Sequence, residues 1–213
     1  MKQFTKDFLD LSIELGILKF GEFKLKSERL SPYFFNAGLF NTGEALLKLG
    51  RYYAQALVDS EVEFDMLYGP AYKGITLAAA TAILLANDHG VNVPYAYNRK
   101  EAKDHGEGGV IVGAPISGKV LIIDDVISAG TSVRESVEII KQSGGEVAGV
   151  LIALDRQEKG KSDRSAVQEV ERSLDTRVVS IAKLEQLVDY LGDADFGDDV
   201  IAAVKKYREQ YAV

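Results

Sequence analysis

The chain contains no cysteine. Disulfides and thiolate metal ligands are therefore excluded, and no thiol nucleophile is available to any reaction the chain performs. Positive charge is in short supply. The 25 Lys and Arg stand against 32 Asp and Glu, for a formal net charge of −7. That balance argues against a general nucleic-acid surface, and it requires any site for a polyphosphate to gather its cations locally. Long apolar runs are also missing. Nothing approaches the ~20 residues that a membrane helix needs, and the stretch from Met1 to Asp7 lacks the apolar core of a signal peptide. The expectation is a cytoplasmic protein without a membrane or nucleic-acid partner. Repeats, low-complexity tracts and linkers are absent, so the 213 residues are expected to form a single domain, and a hydrophobic content of 46% supplies its core.

What is present alternates. Phe4, Phe8, Leu11 and Leu15 follow helical spacing. Residues 23–26 read as a short strand, and residues 31–38 as a strand or loop. Asn41 with Glu44 looks like a capping box opening a helix whose inner face is Leu46, Leu49, Tyr53 and Leu57. From Phe64 onward, apolar strands at residues 65–68, 93–97, 119–124, 147–154 and 177–181, with a weaker one at 110–112, are separated by helical patterns at 73–87, 131–142 and 165–174. Two further helices, at 183–191 and 200–211, close the chain. Continuous apolar strands alternating with helices predict an α/β fold, a Rossmann-like parallel sheet covered on both faces by helices. Ligand sites then fall at the C-terminal strand ends, in the loops 69–74, 124–131 and 155–161. The first 62 residues do not alternate and are expected to form a cap, or hood, over a core of residues 63–213.

The run from Val120 to Ser132 is the most informative stretch. An apolar strand ends in Asp124 and Asp125, and a turn of small residues follows, Val126, Ile127, Ser128, Ala129 and Gly130, before Thr131 and Ser132 open a helix. Such a turn aims backbone N–H groups and a helix N-terminus at one point, which suits a phosphate monoester. Two carboxylates one strand-end away can accept hydrogen bonds from vicinal hydroxyls. The run is neither a Walker A loop nor a dinucleotide-binding Gly-x-Gly-x-x-Gly.

Three more clusters carry candidate chemistry. Residues 98–109 hold Arg99, Lys100, Lys103 and His105 with three glycines and no large apolar residue, so the segment is expected to be a charged loop, mobile in the free protein. Residues 69–74 join a strand to a helix, with Gly74 allowing close backbone approach and Lys73 adding charge at the helix start. Phe34 and Phe35, downstream of Lys26, read by themselves as core residues or as aromatic faces for a planar ligand, and Arg156, just past the strand at 147–154, as a surface residue or an anion partner. A guanidinium fits a carboxylate through two parallel hydrogen bonds.

The run from Val120 to Ser132 resembles the phosphoribosyl-diphosphate (PRPP) signature of the type I phosphoribosyltransferases. The Arg-Lys-x-x-Lys-x-His-Gly-x-Gly-Gly pattern beginning at Arg99 resembles the catalytic loop of the orotate phosphoribosyltransferases in particular. Ser128 keeps a hydroxyl where many members of that family carry Thr. The resemblance implies transfer of ribose 5-phosphate from PRPP to orotate, in pyrimidine synthesis, by way of an oxocarbenium-like transition state. It implies PRPP contacts from Lys26, Tyr72, Lys73, Arg99, Lys100, Lys103, His105 and residues 124–132, with a strained non-proline peptide at Ala71–Tyr72. It places orotate against Lys26, Phe34, Phe35, Ser128 and Arg156. Arg99, Lys100, Lys103 and His105 form the catalytic loop, and Arg99 and Lys103 reach the neighbouring subunit of a homodimer with shared active sites. Mg²⁺ is the implied cofactor, held mainly by PRPP and water with no direct protein ligand. A transferase for a purine would have no use for Arg156, since a purine has no carboxylate. A PRPP-sensing regulator would be expected to carry a basic nucleic-acid face, which the acidic balance disfavours.

Overall fold

The computed structural model describes residues 1–25, 28–103, 109–160, 163–194 and 196–213, with only the backbone of residues 102 and 103. The central sheet takes its order from apolar strands that must be covered on both faces. Its strands are β3 (Met66–Gly69), β4 (Tyr95–Lys103), β5 (Gly109–Gly113), β6 (Lys119–Ile123), β7 (Glu146–Asp155) and β8 (Val178–Lys183), in the order β5-β4-β3-β6-β7-β8. All neighbours run parallel except β5, which pairs antiparallel with β4 at one edge. The side-chain period of two splits β6 between two cores. Leu121 and Ile123 join a cluster with Leu49, Tyr53 and Leu85, whereas Val120 and Ile122 join a cluster with Val133, Val137 and Ile140. The first cluster is built by helices α2 (Gly43–Ser60) and α3 (Lys73–His89), the second by α4 (Thr131–Gln142) and α5 (Ala166–Leu174).

The N-terminal region consists of α1 (Gln3–Glu14), an antiparallel hairpin of β1 (Leu18–Lys24) and β2 (Leu30–Phe35), and then α2. Helices α6 (Leu184–Asp193) and α7 (Asp198–Tyr211) end the chain, and α7 packs on β2. The N-cap of α2 is Thr42, whose Oγ1 accepts from the Ala45 N–H at 3.2 Å, in place of the expected Asn41. A second expectation is corrected on the described residues. Residues 98–103 continue β4 instead of leaving it as a loop, and Lys103 pairs with Gly109 across the hairpin to β5. Their polar side chains give no apolar alternation; the stretch is pinned to β5 at its two ends, Asn98 on Ile111 and Lys103 on Gly109, with a register shift between them.

Candidate active site

Strand β6 delivers two carboxylates to one point. The backbone is pinned to β7, with the Asp124 N–H donating to the Leu151 carbonyl at 3.0 Å and the Ala153 N–H to the Asp125 carbonyl at 2.9 Å. From the opposite face, the fully buried Tyr53 hydroxyl donates to the Asp124 carbonyl at 2.8 Å. The Asp124 carboxylate accepts from the Asp125 N–H at 2.9 Å and from the Ser132 hydroxyl at 3.1 Å. Asp125 accepts from the Val126 N–H at 2.9 Å and pairs with the Lys73 ammonium at 2.5 Å. Both carboxylates are buried, at 8% and 7% exposure. Burial, reinforced by the neighbouring Asp125 charge, pushes the Asp124 pKa up to about 6.

The turn that follows offers backbone and withholds side chain. Ile127 is buried in the α4–α5 cluster and Val126 packs against the opposite one, while Ser128, Ala129, Thr131 and Ser132 are exposed. Gly130 has φ +70°, and a Cβ there would stand 2.8 Å from Val170 Cγ2. It opens α4 with no side-chain cap, so the first N–H groups of the helix are not engaged by a capping side chain. An exposed, uncapped helix N-terminus beside a hydroxyl-rich turn can receive a phosphate.

The loop after β3 approaches from the adjacent strand. Gly69 and Gly74 let the chain fold back on itself: a Cβ on Gly74 would lie 2.5 Å from Pro70 Cδ and 2.8 Å from the Ile123 carbonyl oxygen. The Ala71–Tyr72 peptide is cis, and the Ala71 N–H donates to Asn98 Oδ1 at 3.0 Å. Tyr72 is exposed, and Lys100 Nζ lies 5.3 Å from its ring centroid. A cleft of about 610 Å³ opens between these loops, lined among others by Ala71, Asn98, Arg99, Lys100, Thr131 and Ser132. Arg99 and Lys100 line this cleft opposite Glu135 and Glu138 of α4, while Lys73 stands at the start of α3 on Asp125. The Lys103 side chain, His105 and Lys26 lie outside the described residues.

On β2, Phe34 and Phe35 diverge because successive strand residues face opposite ways. Phe35 packs on Phe8, with centroids 6.1 Å apart, whereas Phe34 is exposed and stacks on Phe23 at 5.5 Å. Arg156 follows β7 and is mostly covered. Its Nε and Nη2 donate to Glu158 Oε1 at 2.8 and 2.6 Å. The sequence reasoning passed over four residues at the site. Asn98 and Tyr53 brace the two loops, and Glu158 and Tyr33 hold Arg156. Glu158 stands two positions from Arg156, an acid spaced to pair with it, and Tyr33 alternates with Ser31 on the buried face of β2. Tyr53 carried no signal beyond its place on the inner face of α2.

A family model described as a phosphoribosyl transferase domain matches residues 38–186. The chain belongs to the phosphoribosyltransferase family. Its similarities narrow the class. It is 59% identical over 213 residues to an orotate phosphoribosyltransferase of Alteromonas mediterranea, with both chains covered in full. It is also 59% identical over 214 residues to one from Pseudomonas paraeruginosa, again with full coverage of both. The crystal structure of an orotate phosphoribosyltransferase from Francisella tularensis resembles it with a TM-score of 0.89 and 44% identity, covering 97% of this chain and 100% of that one. Within the family, the chain groups with the orotate phosphoribosyltransferases.

Proposed function

We propose that the chain transfers ribose 5-phosphate from PRPP to orotate, giving orotidine 5′-monophosphate and diphosphate. The observation that carries this most directly is the pair Asp124–Asp125 beside the uncapped N-terminus of α4, one strand from Arg156. The turn of residues 128–132 takes the 5′-phosphate on its N–H groups and hydroxyls. Val126 and Ile127 contribute backbone only, since their side chains are committed to the cores. Asp124 and Asp125 accept from the ribose 2′- and 3′-hydroxyls. Arg156 receives the orotate carboxylate, with Lys26, Ser128 and Phe34 or Phe35 around the ring; the divergence of the two rings means that one of them, not both, meets its face.

As the bond from the anomeric carbon to the diphosphate breaks, its electron pair leaves with the diphosphate, and orotate N1 forms the new bond while its N–H proton is given up to the departing diphosphate or to solvent. Positive charge grows on the sugar and negative charge on the leaving group. Catalysis consists of positioning and charge stabilisation. Lys73, now paired with Asp125, together with Tyr72, Arg99, Lys100, Lys103 and His105, faces the diphosphate. Among the described residues no three His, Asp or Glu side chains gather to hold a metal. A Mg²⁺ carried mostly by phosphate oxygens and water would meet Asp124 and Asp125 only through its water shell. When bound, that ion would neutralise charge on the diphosphate. Arg99 and Lys103 act across the interface of a homodimer, residues 1–62 serve as the hood over the remainder of a single domain, and the enzyme works in the cytoplasm. The test is the purified chain with orotate, PRPP and Mg²⁺. The expected outcome is loss of orotate absorbance with stoichiometric orotidine 5′-monophosphate and diphosphate. Orotate left unconsumed, or PRPP hydrolysed without transfer, would contradict it.

A further inference from the structure

Arg156 is held by a frame that the transfer chemistry does not use. One oxygen of Glu158 takes both Nε and Nη2 of Arg156, at 2.8 and 2.6 Å, which occupies the side edge of the guanidinium. The Tyr33 hydroxyl donates to the same oxygen at 3.1 Å, and the Arg156 guanidinium lies 4.9 Å from the Tyr33 ring centroid. Arg29 stands 4.0 Å from the other oxygen of Glu158. Burial holds the Tyr33 phenol well above its usual pKa, so it remains a donor. The chain terminus fixes Glu158 from behind. The Lys159 N–H donates to the Tyr211 carbonyl at 2.8 Å and the Val213 N–H to the Gln157 carbonyl at 3.0 Å. Tyr33 in turn packs edge-on against Tyr207, with centroids 6.0 Å apart.

A guanidinium has two edges that can each bind a carboxylate in a fork. With the side edge taken, and Nη2 making only a long contact of 3.5 Å to the Ser31 hydroxyl, the end edge of Nη1 and Nη2 is the one that a second anion can take. Two guanidinium groups and one carboxylate leave this cluster with one net positive charge. We propose that Glu158 is a positioning residue for base selectivity: it locks the side edge of Arg156, presents the end edge to a carboxylate on the base, and keeps the arginine compensated when that carboxylate is absent. The proposal rests on Arg156 as the partner of orotate.

Steady-state kinetics on Glu158→Ala, Glu158→Gln, Arg156→Ala and the double variant Arg156→Ala/Glu158→Gln separate the two ideas, with circular dichroism and melting to verify the fold. Glu158→Ala is expected to raise KM for orotate by about tenfold or more, the scale of a lost charge-assisted contact. KM for PRPP and kcat should stay within about twofold, since only base binding is affected. Glu158→Gln keeps shape and one acceptor and should recover part of the loss, and it remains informative if the alanine variant does not fold. In the double variant, the glutamine should add nothing to the loss from Arg156→Ala. A parent-like KM for orotate in both Glu158 variants, a parallel rise in the KM of both substrates, or additive losses in the double variant would overturn the proposal while leaving Arg156 in place. An unchanged KM for orotate in Arg156→Ala would overturn the assignment of Arg156 and the proposal with it.

Discussion

Asp124 and Asp125 share a position at the end of β6 but have different partners. Asp125 pairs with Lys73, while Asp124 accepts only a backbone N–H and the Ser132 hydroxyl and sits beside a like charge. An acid whose pKa rises on folding, here from near 4 to about 6, binds more protons folded than unfolded between those values. Its contribution to stability is therefore present below pH ~4 and is lost as pH climbs through about 6. Asp124→Asn removes this titration and can preserve both hydrogen bonds. Melting curves of the ligand-free protein from pH 4 to 7 should show the parent losing about 1–3 kcal/mol relative to Asp124→Asn. A constant difference between the two across that range would mean that Asp124 titrates normally. The same substitution is expected to weaken PRPP use by about 1–3 kcal/mol, as for other charge-assisted hydrogen bonds.

At the scale of the elements, the site depends on backbone closeness as much as on side chains. Gly74 lets α3 start against β3 and the end of β6, where an added Cβ would meet backbone and a proline ring. Gly74→Ala is expected to cost about 1–3 kcal/mol, seen as a melting point lower by roughly 2–12 °C. It should also raise KM for PRPP, because Lys73 and Gly74 move together. A variant with parent stability and kinetics would show that the loop tolerates a shift. Elements of this kind were legible where apolar period and turn chemistry agreed. Helix α4 spans Thr131–Gln142, as Val133, Val137 and Ile140 and the glycines at 144 and 145 predict. The strand through Lys103 was not legible, because Arg99, Lys100 and Glu101 carry no alternation and lie in a register shift between the paired residues Asn98 and Lys103. Hairpin β1–β2 begins at Leu18, earlier than the aromatic at position 23 suggested, since a register shift between Phe20 and Phe23 breaks the alternation. Of the site, the charged groups could be read from sequence. Of the residues that hold them, Tyr53, Asn98 and Tyr33 act through long-range contacts that one sequence does not display, whereas Glu158 is two positions from Arg156 and its pairing could have been read.

For the whole molecule, the acidic balance leaves Lys73, Arg99 and Lys100 as the local cations on which a polyphosphate gains attraction, and the proposed sharing of Lys103 between subunits makes the dimer the working unit. Lys103→Ala lacks the loop cation given to a neighbour, and Asp125→Asn damages the site that receives it. In a mixed dimer, the Lys103→Ala subunit keeps its own Asp125 and receives an intact loop, so one site of two is whole. Mixing the two variants under subunit exchange should restore up to about half the parent activity per heterodimer. Heterodimers that form without regaining activity would place the loop in its own subunit.

The central claim is that this site selects a base by its carboxylate, and the ratio of kcat/KM for orotate to that for uracil tests it most directly, measured in the parent and in Arg156→Ala. Glu158 keeps Arg156 compensated when the carboxylate is missing, so the penalty for uracil is that of a lost charge-assisted hydrogen bond, about 1.5–3 kcal/mol, and not that of a bare buried charge. The account predicts a parent preference for orotate of roughly 10- to 150-fold that largely disappears in Arg156→Ala. Uracil used within a few-fold of orotate by the parent, or a preference that survives the loss of Arg156, would contradict it.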